Sequence, residues 1–471
     1  MKILKKILWI LLCGLVFLGV FSVSALTKIA KVAGISADSF TLQSKASDDV
    51  RYEGSIQKQI IDIPYITNEG TVEIRQVLYY RPEEAKGDIP LIFIPHYAAE
   101  ESSMDFQLYM AHGWAVASPV FQEKYNGQLT DNDLVFNNAA LYALRNTDGI
   151  DNQRIAIVGG SAGGYMALML SELQMGTCAT IANSPIANIY YNLYIHFQNC
   201  DDLNRNSGFF DIPIPIQLFV SKSFRSNLNN FPDVSDIDRW IALSPLGNVK
   251  SISSPVVINH YTGDILVPVD QITKQYTYPE SDGTLPADFP VRMGENYPGI
   301  LGHSLEEEAN PNELHTQRYV VKNKYIDMDM PYSDRLLTLN IFDDGRISAK
   351  SSHTAPGTTG SINVFPYLEE MFSQTLANTE KLSSEKLILL LNRYSGNSAQ
   401  LLPHENIDDT AYGSLFIYRK EIIDQLSQYI SNHSLEEVER IVEIAIDHSE
   451  NKAELIASWE AIKTAITSQS F

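Results

Sequence analysis

The stretch RIAIVGGSAGGYMALML, Arg154 to Leu170, decides the fold. Ile155 to Val158 is a short apolar run, the pattern of a strand buried on both faces. Four glycines then surround one serine, Gly159-Gly160-Ser161-Ala162-Gly163-Gly164. Tyr165, Met166, Leu168 and Met169 follow at helical spacing. A strand, a turn without bulk and a helix therefore meet at Ser161. The pattern G-x-S-x-G in this setting predicts a sharp turn that forces the serine into strained backbone geometry and exposes its oxygen above the sheet. The N–H of Ala162 points to the same place, at a helix start whose dipole favours an anion. Other glycine motifs do not fit. A dinucleotide fingerprint needs glycines at a different spacing, and a P-loop needs a lysine where Tyr165 stands.

The same alternation extends on both sides. DIPLIFIPHY and WAVASPV read as strands, and DNDLVFNNAALYALRNTDGI as a helix with an N-cap candidate at Asp131 and a stop at Gly149. CATIANSP and SPVVINHYTGD read as further strands, PVDQITKQY as a helix, RLLTLNIFDDG as a last strand and VFPYLEEMF as a last helix. Strands alternating with helices predict an α/β fold with a mostly parallel sheet covered on both faces. KQIIDIPYI and TVEIRQVLYYRP, joined by Asn68-Glu69-Gly70, predict an antiparallel hairpin at one edge. Residues 186–245 are rich in aromatics, among them Tyr190, Tyr191, Tyr194 and Phe197, and read as a helical insertion over one end of the sheet. From residue 373 to 471 the chain is polar and helical. SLEEVERIVEIAI opens with a capping box, Ser434 and Glu437, before apolar Val438, Ile441, Val442 and Ala445.

A serine hydroxyl needs a base to take its proton and an acid to orient that base. In a sheet of this type the acid and then the histidine follow the serine. Asp264, in a glycine turn just past Val256 to Ile258, is placed for the acid, whereas Asp270 falls inside the next helix. Two histidines stand as candidate bases. His353 follows the last strand by a loop and precedes the last helix, and His303, in PGILGHSL, is nearer to Asp264 in sequence. His96 and His260 lie on strands and read as structural or supporting. The oxyanion donors are the Ala162 N–H and a group from the end of PLIFIPHYAAE, where Tyr97 offers its N–H or its phenol.

At this point the chain resembles the α/β-hydrolase superfamily. GIDNQRIAIVGGSAGGYMALML followed by SPLGNVKSISSPVVINHYTGDILVPVDQ is most similar to the catalytic domain of prolyl-oligopeptidase-like serine hydrolases and related acyl esterases. The resemblance spans about Tyr52 to Phe372. It implies Ser161 as nucleophile, Asp264 as acid and Tyr97 as an oxyanion contributor, with no metal and no organic cofactor. Ala162 departs from the aromatic that those peptidases often carry there, and neither His353-Thr354 nor His303-Ser304 supplies their usual glycine. The segment from Tyr276 to Arg335 is longer than the resemblance leads one to expect. About 25 residues between the leader and the first strands leave no β-propeller to be expected, so peptidase specificity does not carry over.

Composition bounds the rest. With 57 acidic and 35 basic residues the formal net charge is -22, which excludes a basic surface for nucleic acid. Lys2, Lys5 and Lys6 precede an almost wholly apolar Ile7 to Val23, and Val23-Ser24-Ala25 offers small residues for cleavage before Leu26. Residues 1–25 therefore read as a signal peptide or an uncleaved anchor through residues 7–24. Residues 26–50 read as a linker and 51–372 as the hydrolase domain. An extracytoplasmic serine hydrolase acting on a small ester is the leading expectation. A peptidase for short peptides, with Glu100 and Glu101 as anchors for a substrate amine, and an inactive surface binding module are the alternatives. Cys178 and Cys200, the two cysteines beyond the leader, are open to pairing or to remaining buried thiols.

Overall fold

A computed structural model describes residues 51–67, 70–120, 131–173, 177–189, 243–245, 254–261, 264, 267, 270–273, 306–308, 316–322, 335–342, 365–373, 391, 422–424, 426–427, 430–431, 434–447 and 452–468. The expected leader, linker and most of the aromatic insertion lie outside these residues. Among the described residues, no helix is long and apolar enough to cross a membrane.

Among the described residues, one ten-stranded sheet organises the chain. Its strands are β1 (Ile56–Ile66), β2 (Val72–Pro82), β3 (Ile89–Phe93), β4 (Ala115–Pro119), β5 (Ile150–Gly160), β6 (Ala179–Asn183), β7 (Val256–Tyr261), β8 (Glu306–Glu308), β9 (Thr316–Lys322) and β10 (Arg335–Phe342). Their spatial order is β1-β2-β4-β3-β5-β6-β7-β10-β9-β8. The inner pairs β4–β3, β3–β5, β5–β6, β6–β7 and β7–β10 are all parallel. The expected hairpin forms the first edge: β1 pairs antiparallel with β2, and β2 antiparallel with β4. Gly70 makes its turn possible, with φ 76 and an N–H donated to the Thr67 carbonyl at 2.9 Å.

Beyond β10 the sheet is wider than the sequence suggests. β9 pairs antiparallel with β10, and β8 antiparallel with β9, inside the stretch that is long for the resemblance. Glu306-Glu307-Glu308 lacks any apolar signature in the sequence.

The connecting helices are α1 (Met104–Ala111), α2 (Asp131–Arg145), α3 (Ala162–Leu173), α4 (Asp270–Thr273), α5 (Phe365–Ser373), α6 (Leu435–Asp447) and α7 (Lys452–Ser468). They divide between two faces because strand residues alternate. Leu91, Phe93, Ile155 and Ile157 pack with Leu134 and Val135 of α2 and with Tyr165 and Met169 of α3. Ile92, Ala156 and Val158 point the other way, toward Phe106 and Tyr109 of α1 and Phe365 and Leu368 of α5. Central strands covered on both faces are buried at every position, as β3 and β6 are, and the polar Asn183 of β6 is there only because it is hydrogen-bonded. The C-terminal pair joins the first of these cores through Val438, Val442, Leu455, Trp459 and Ile462. The Ser434 hydroxyl accepts the Glu437 N–H at 3.1 Å, the expected cap of α6.

Candidate active site

The turn between β5 and α3 is built as the glycines demand. Ser161 has φ 53, a left-handed conformation that costs a non-glycine residue about 1–3 kcal/mol. Two bonds hold it there. Its N–H donates to the Asn183 carbonyl of β6 at 2.9 Å, and its carbonyl accepts the Tyr165 N–H at 3.0 Å, opening α3. A Cβ on Gly159 would fall inside the contact radius of the Gly163 carbonyl, so strand and helix meet only because that position carries no side chain. A Cβ on Gly163 would lie 3.1 Å from the Pro95 carbonyl and 3.1 Å from Cδ2 of Tyr97. That contact brings the end of β3 onto the start of α3.

Tyr97 therefore lies beside the elbow, and its phenol is under the influence of the Ser161 hydroxyl and the Ala162 N–H. Burial pushes the phenol up to about 12; hydrogen bonding from Ser161 and Ala162 lowers it by less, and the Asp133 carboxylate raises it slightly. A phenol in that state is protonated at neutral pH and able to donate. The structure thus brings Ser161, Ala162 and Tyr97 to one point.

Asp264 sits at the same edge of the sheet, three residues past the end of β7, two strands along from β5. It is 2% exposed, and its Oδ1 accepts the Val267 N–H at 2.9 Å, which fixes the turn that carries it. The segment after β7 is tied back to β6. Gln271 of α4 accepts the N–H groups of Ala187 and Asn188 at 2.9 and 3.1 Å and donates to the Pro185 carbonyl at 3.2 Å. Asp270 opens α4, as the sequence implies. His353 and His303 both lie outside the described residues. His260 is buried on β7 and His96 at the end of β3.

Two buried polar systems flank the elbow, and neither is legible as a motif. On one side Arg75 of β2 and His96 both bond to Asp133 of α2. On the other, Asn259 donates to Asn183 at 2.8 Å and Asn340 donates to Asn259 at 2.9 Å. These three asparagines stand in register on β6, β7 and β10. The signal for Arg75 was available: it shares parity with inward-facing Val77 and Tyr79, so a charge stands where the strand alternation calls for an apolar residue.

Glu101 is engaged elsewhere. Its carboxylate accepts Lys58 Nζ at 2.6 Å and the Tyr80 hydroxyl at 3.2 Å on the outer surface of the hairpin. Cys178 is a free, buried thiol donating to the Ile155 carbonyl at 3.3 Å, and burial pushes it up to about 12. Among the described residues, no group of three or more His, Cys, Asp or Glu could hold a metal ion.

The strand order, the parallel centre and the strained serine between β5 and α3 define an α/β-hydrolase fold. Residues 79–277 match the family model BD-FAE, an α/β-hydrolase family, and that match takes in Tyr97, the elbow and Asp264. No curated protein matches the chain in sequence. Solved structures similar to it include an acylaminoacyl peptidase from Pyrococcus horikoshii, 18% identical over 46% of this chain and 34% of that one, with TM-score 0.34. A puromycin-hydrolyzing peptidase of Mycobacterium tuberculosis is 18% identical over 45% of this chain and 32% of that one, with TM-score 0.32. Oligopeptidase B from Leishmania major is 14% identical over 46% of this chain and 30% of that one, with TM-score 0.34. The match thus spans about a third of the length of these structures.

Proposed function

We propose that the chain hydrolyses a small ester through an acyl-enzyme on Ser161. The observation that carries this reading is the left-handed Ser161 at the strand–helix turn, with the Ala162 N–H and the Tyr97 phenol beside it. A histidine oriented by Asp264 takes the Ser161 proton as Oγ attacks the carbonyl carbon. His353 is our choice for that base and His303 the alternative, because β10 runs parallel to β7 with Phe342 opposite Tyr261, so the chain leaves β10 at the edge that carries Asp264. The Ala162 N–H and the Tyr97 hydroxyl hold the tetrahedral oxyanion. The ester oxygen leaves with the proton from the histidine. Water, deprotonated by the same histidine, then releases the acyl group.

An ester is preferred to a peptide with a free amine because the acidic pair expected to hold that amine is not free for it: Glu101 is bonded to Lys58 and Tyr80. We further propose that the enzyme works outside the cytoplasm, delivered by residues 1–25. A fluorophosphonate probe tests the chemistry. Labelling of the wild type and none of Ser161→Ala is expected; an unlabelled wild type with its fold intact would sink the reading. A panel of short acyl esters against aminoacyl amides tests the substrate class, and faster turnover of the amides would replace the esterase reading with the peptidase one. A reporter fused after residue 50 and found in the cytoplasm would overturn the localisation.

A further inference from the structure

The hydrolytic reading leaves one buried ionic chain without a task. Arg75 Nη1 donates to Asp133 Oδ1 at 2.9 Å, and His96 Nδ1 donates to Asp133 Oδ2 at 2.7 Å. The three side chains are 5%, 1% and 2% exposed. An ionised carboxylate only accepts, so the His96 proton stands on Nδ1. The guanidinium also lies over the Phe136 ring, 3.8 Å from its centre, which fixes its plane. If stability alone were served, apolar residues of similar volume would do as well or better.

What the chain holds is a conformation. His96 has φ 69, a left-handed backbone that is uncommon outside glycine. Its N–H is tied as well, donating to Asn137 Oδ1 at 3.2 Å, and Asn137 Nδ2 donates to the Asp133 carbonyl at 2.8 Å. Side chain and backbone of His96 are thus both bound to one turn of α2. The next residue is Tyr97. Its ring stands edge-on to His96, 4.5 Å between centres, and is stopped on the elbow side by the bare Cα of Gly163.

We propose that Arg75, Asp133 and His96 position the oxyanion side of the site: His96, locked left-handed by Asp133 and Asn137, turns the chain out of β3 so that Tyr97 meets Ser161 and Ala162. This rests on the hydrolase reading above. His96 acts through Tyr97 and does not touch substrate. The chain is recruited from β2 and α2, so the geometry of the turn is set by a strand two places from β3 and by the helix behind it.

The test is a double-mutant cycle in the full chain, with rates counted per Ser161 titrated by the fluorophosphonate probe. His96→Gly keeps a residue at ease with positive φ and removes the anchor. It is expected to lower kcat about tenfold with KM within about twofold, because an oxyanion donor is displaced and ground-state binding is not. His96→Asn tolerates the same φ and offers an amide donor to Asp133, so it should restore most of the rate. Tyr97→Phe should lower kcat about 100-fold. In that background His96→Gly should cost less than about twofold. The same tenfold loss in both backgrounds, or no loss per titrated site, would overturn the positioning role. Should His96→Gly not fold, Asp133→Asn enters the same cycle with the same criteria. A wild type that is neither labelled nor active would remove the hydrolase reading, and this inference with it. An active wild type with an additive cycle would remove the inference alone.

Discussion

On the α2 side of the elbow, Arg75 and Asp133 carry opposite charges out of water and share His96 with the end of β3. On the β6 side, Asn183, Asn259 and Asn340 carry only amide dipoles across three adjacent strands. The first system joins elements far apart in the chain and bends a loop into a strained conformation. The second joins strands already paired and reinforces their register. A charge in a dry interior is stabilised only by its partner, so the ionic chain tolerates one geometry. An amide deprived of a neighbour loses about one ordinary hydrogen bond, so the ladder can yield. Charges therefore hold the left-handed His96 on one side, and amide dipoles align the strands on the other, where Ser184 is also left-handed at φ 45.

That contrast can be broken by substitution. Arg75→Ala leaves the Asp133 carboxylate buried against His96 alone and is expected to lower unfolding free energy by about 3–5 kcal/mol, measured by urea denaturation. A loss under about 1 kcal/mol would show the two systems to be equivalent. Asn259→Ala cuts both bonds of the ladder and leaves Asn183 Oδ1 without its donor. Its expected cost is about 2 kcal/mol, smaller than that of Arg75→Ala, with little change in kcat. Gly163→Ala sharpens the contrast from the other direction. Helix propensity favours it by up to about 1 kcal/mol, but its Cβ meets the Pro95 carbonyl and the Tyr97 ring. Stability should hardly move while kcat falls several-fold, and an unchanged kcat would detach Tyr97 from the reaction.

The smallest effect at neutral pH concerns Cys178, remote from both systems. Burial disfavours the thiolate and pushes the folded thiol up from its ordinary 9.0 to about 12. The folded state then binds more protons than the unfolded chain above pH 9, so this group's contribution is whole below pH 9 and is lost progressively up to about pH 12. Cys178→Ala should flatten the fall of unfolding free energy in that window, followed by urea titrations at several pH values. An identical slope in both proteins would show that Cys178 is not sealed.

Much of the fold was legible because its signals are local. Ile155 to Val158 before four glycines, and Tyr165 onward after them, require only neighbours in sequence to be read. The hairpin at Asn68-Glu69-Gly70 and the cap at Ser434 are local in the same sense. β8 was not legible, since an acidic edge strand has neither apolar period nor turn residues to announce it. Nor was the ionic chain. Arg75 and Asp133 are 58 residues apart, and only folding shows which charge faces which.

The sequence by itself determined that Ser161 stands in a tight turn flanked by glycines and alanine, because that constraint acts within a few residues. It determined as well that Asp264 follows a buried strand. The sequence already pointed to Tyr97 as the group set against that serine; only the tertiary structure decided what holds it there. Its direction depends on a left-handed His96, and His96 is held by charges from a strand and a helix that meet through packing rather than through proximity in the chain.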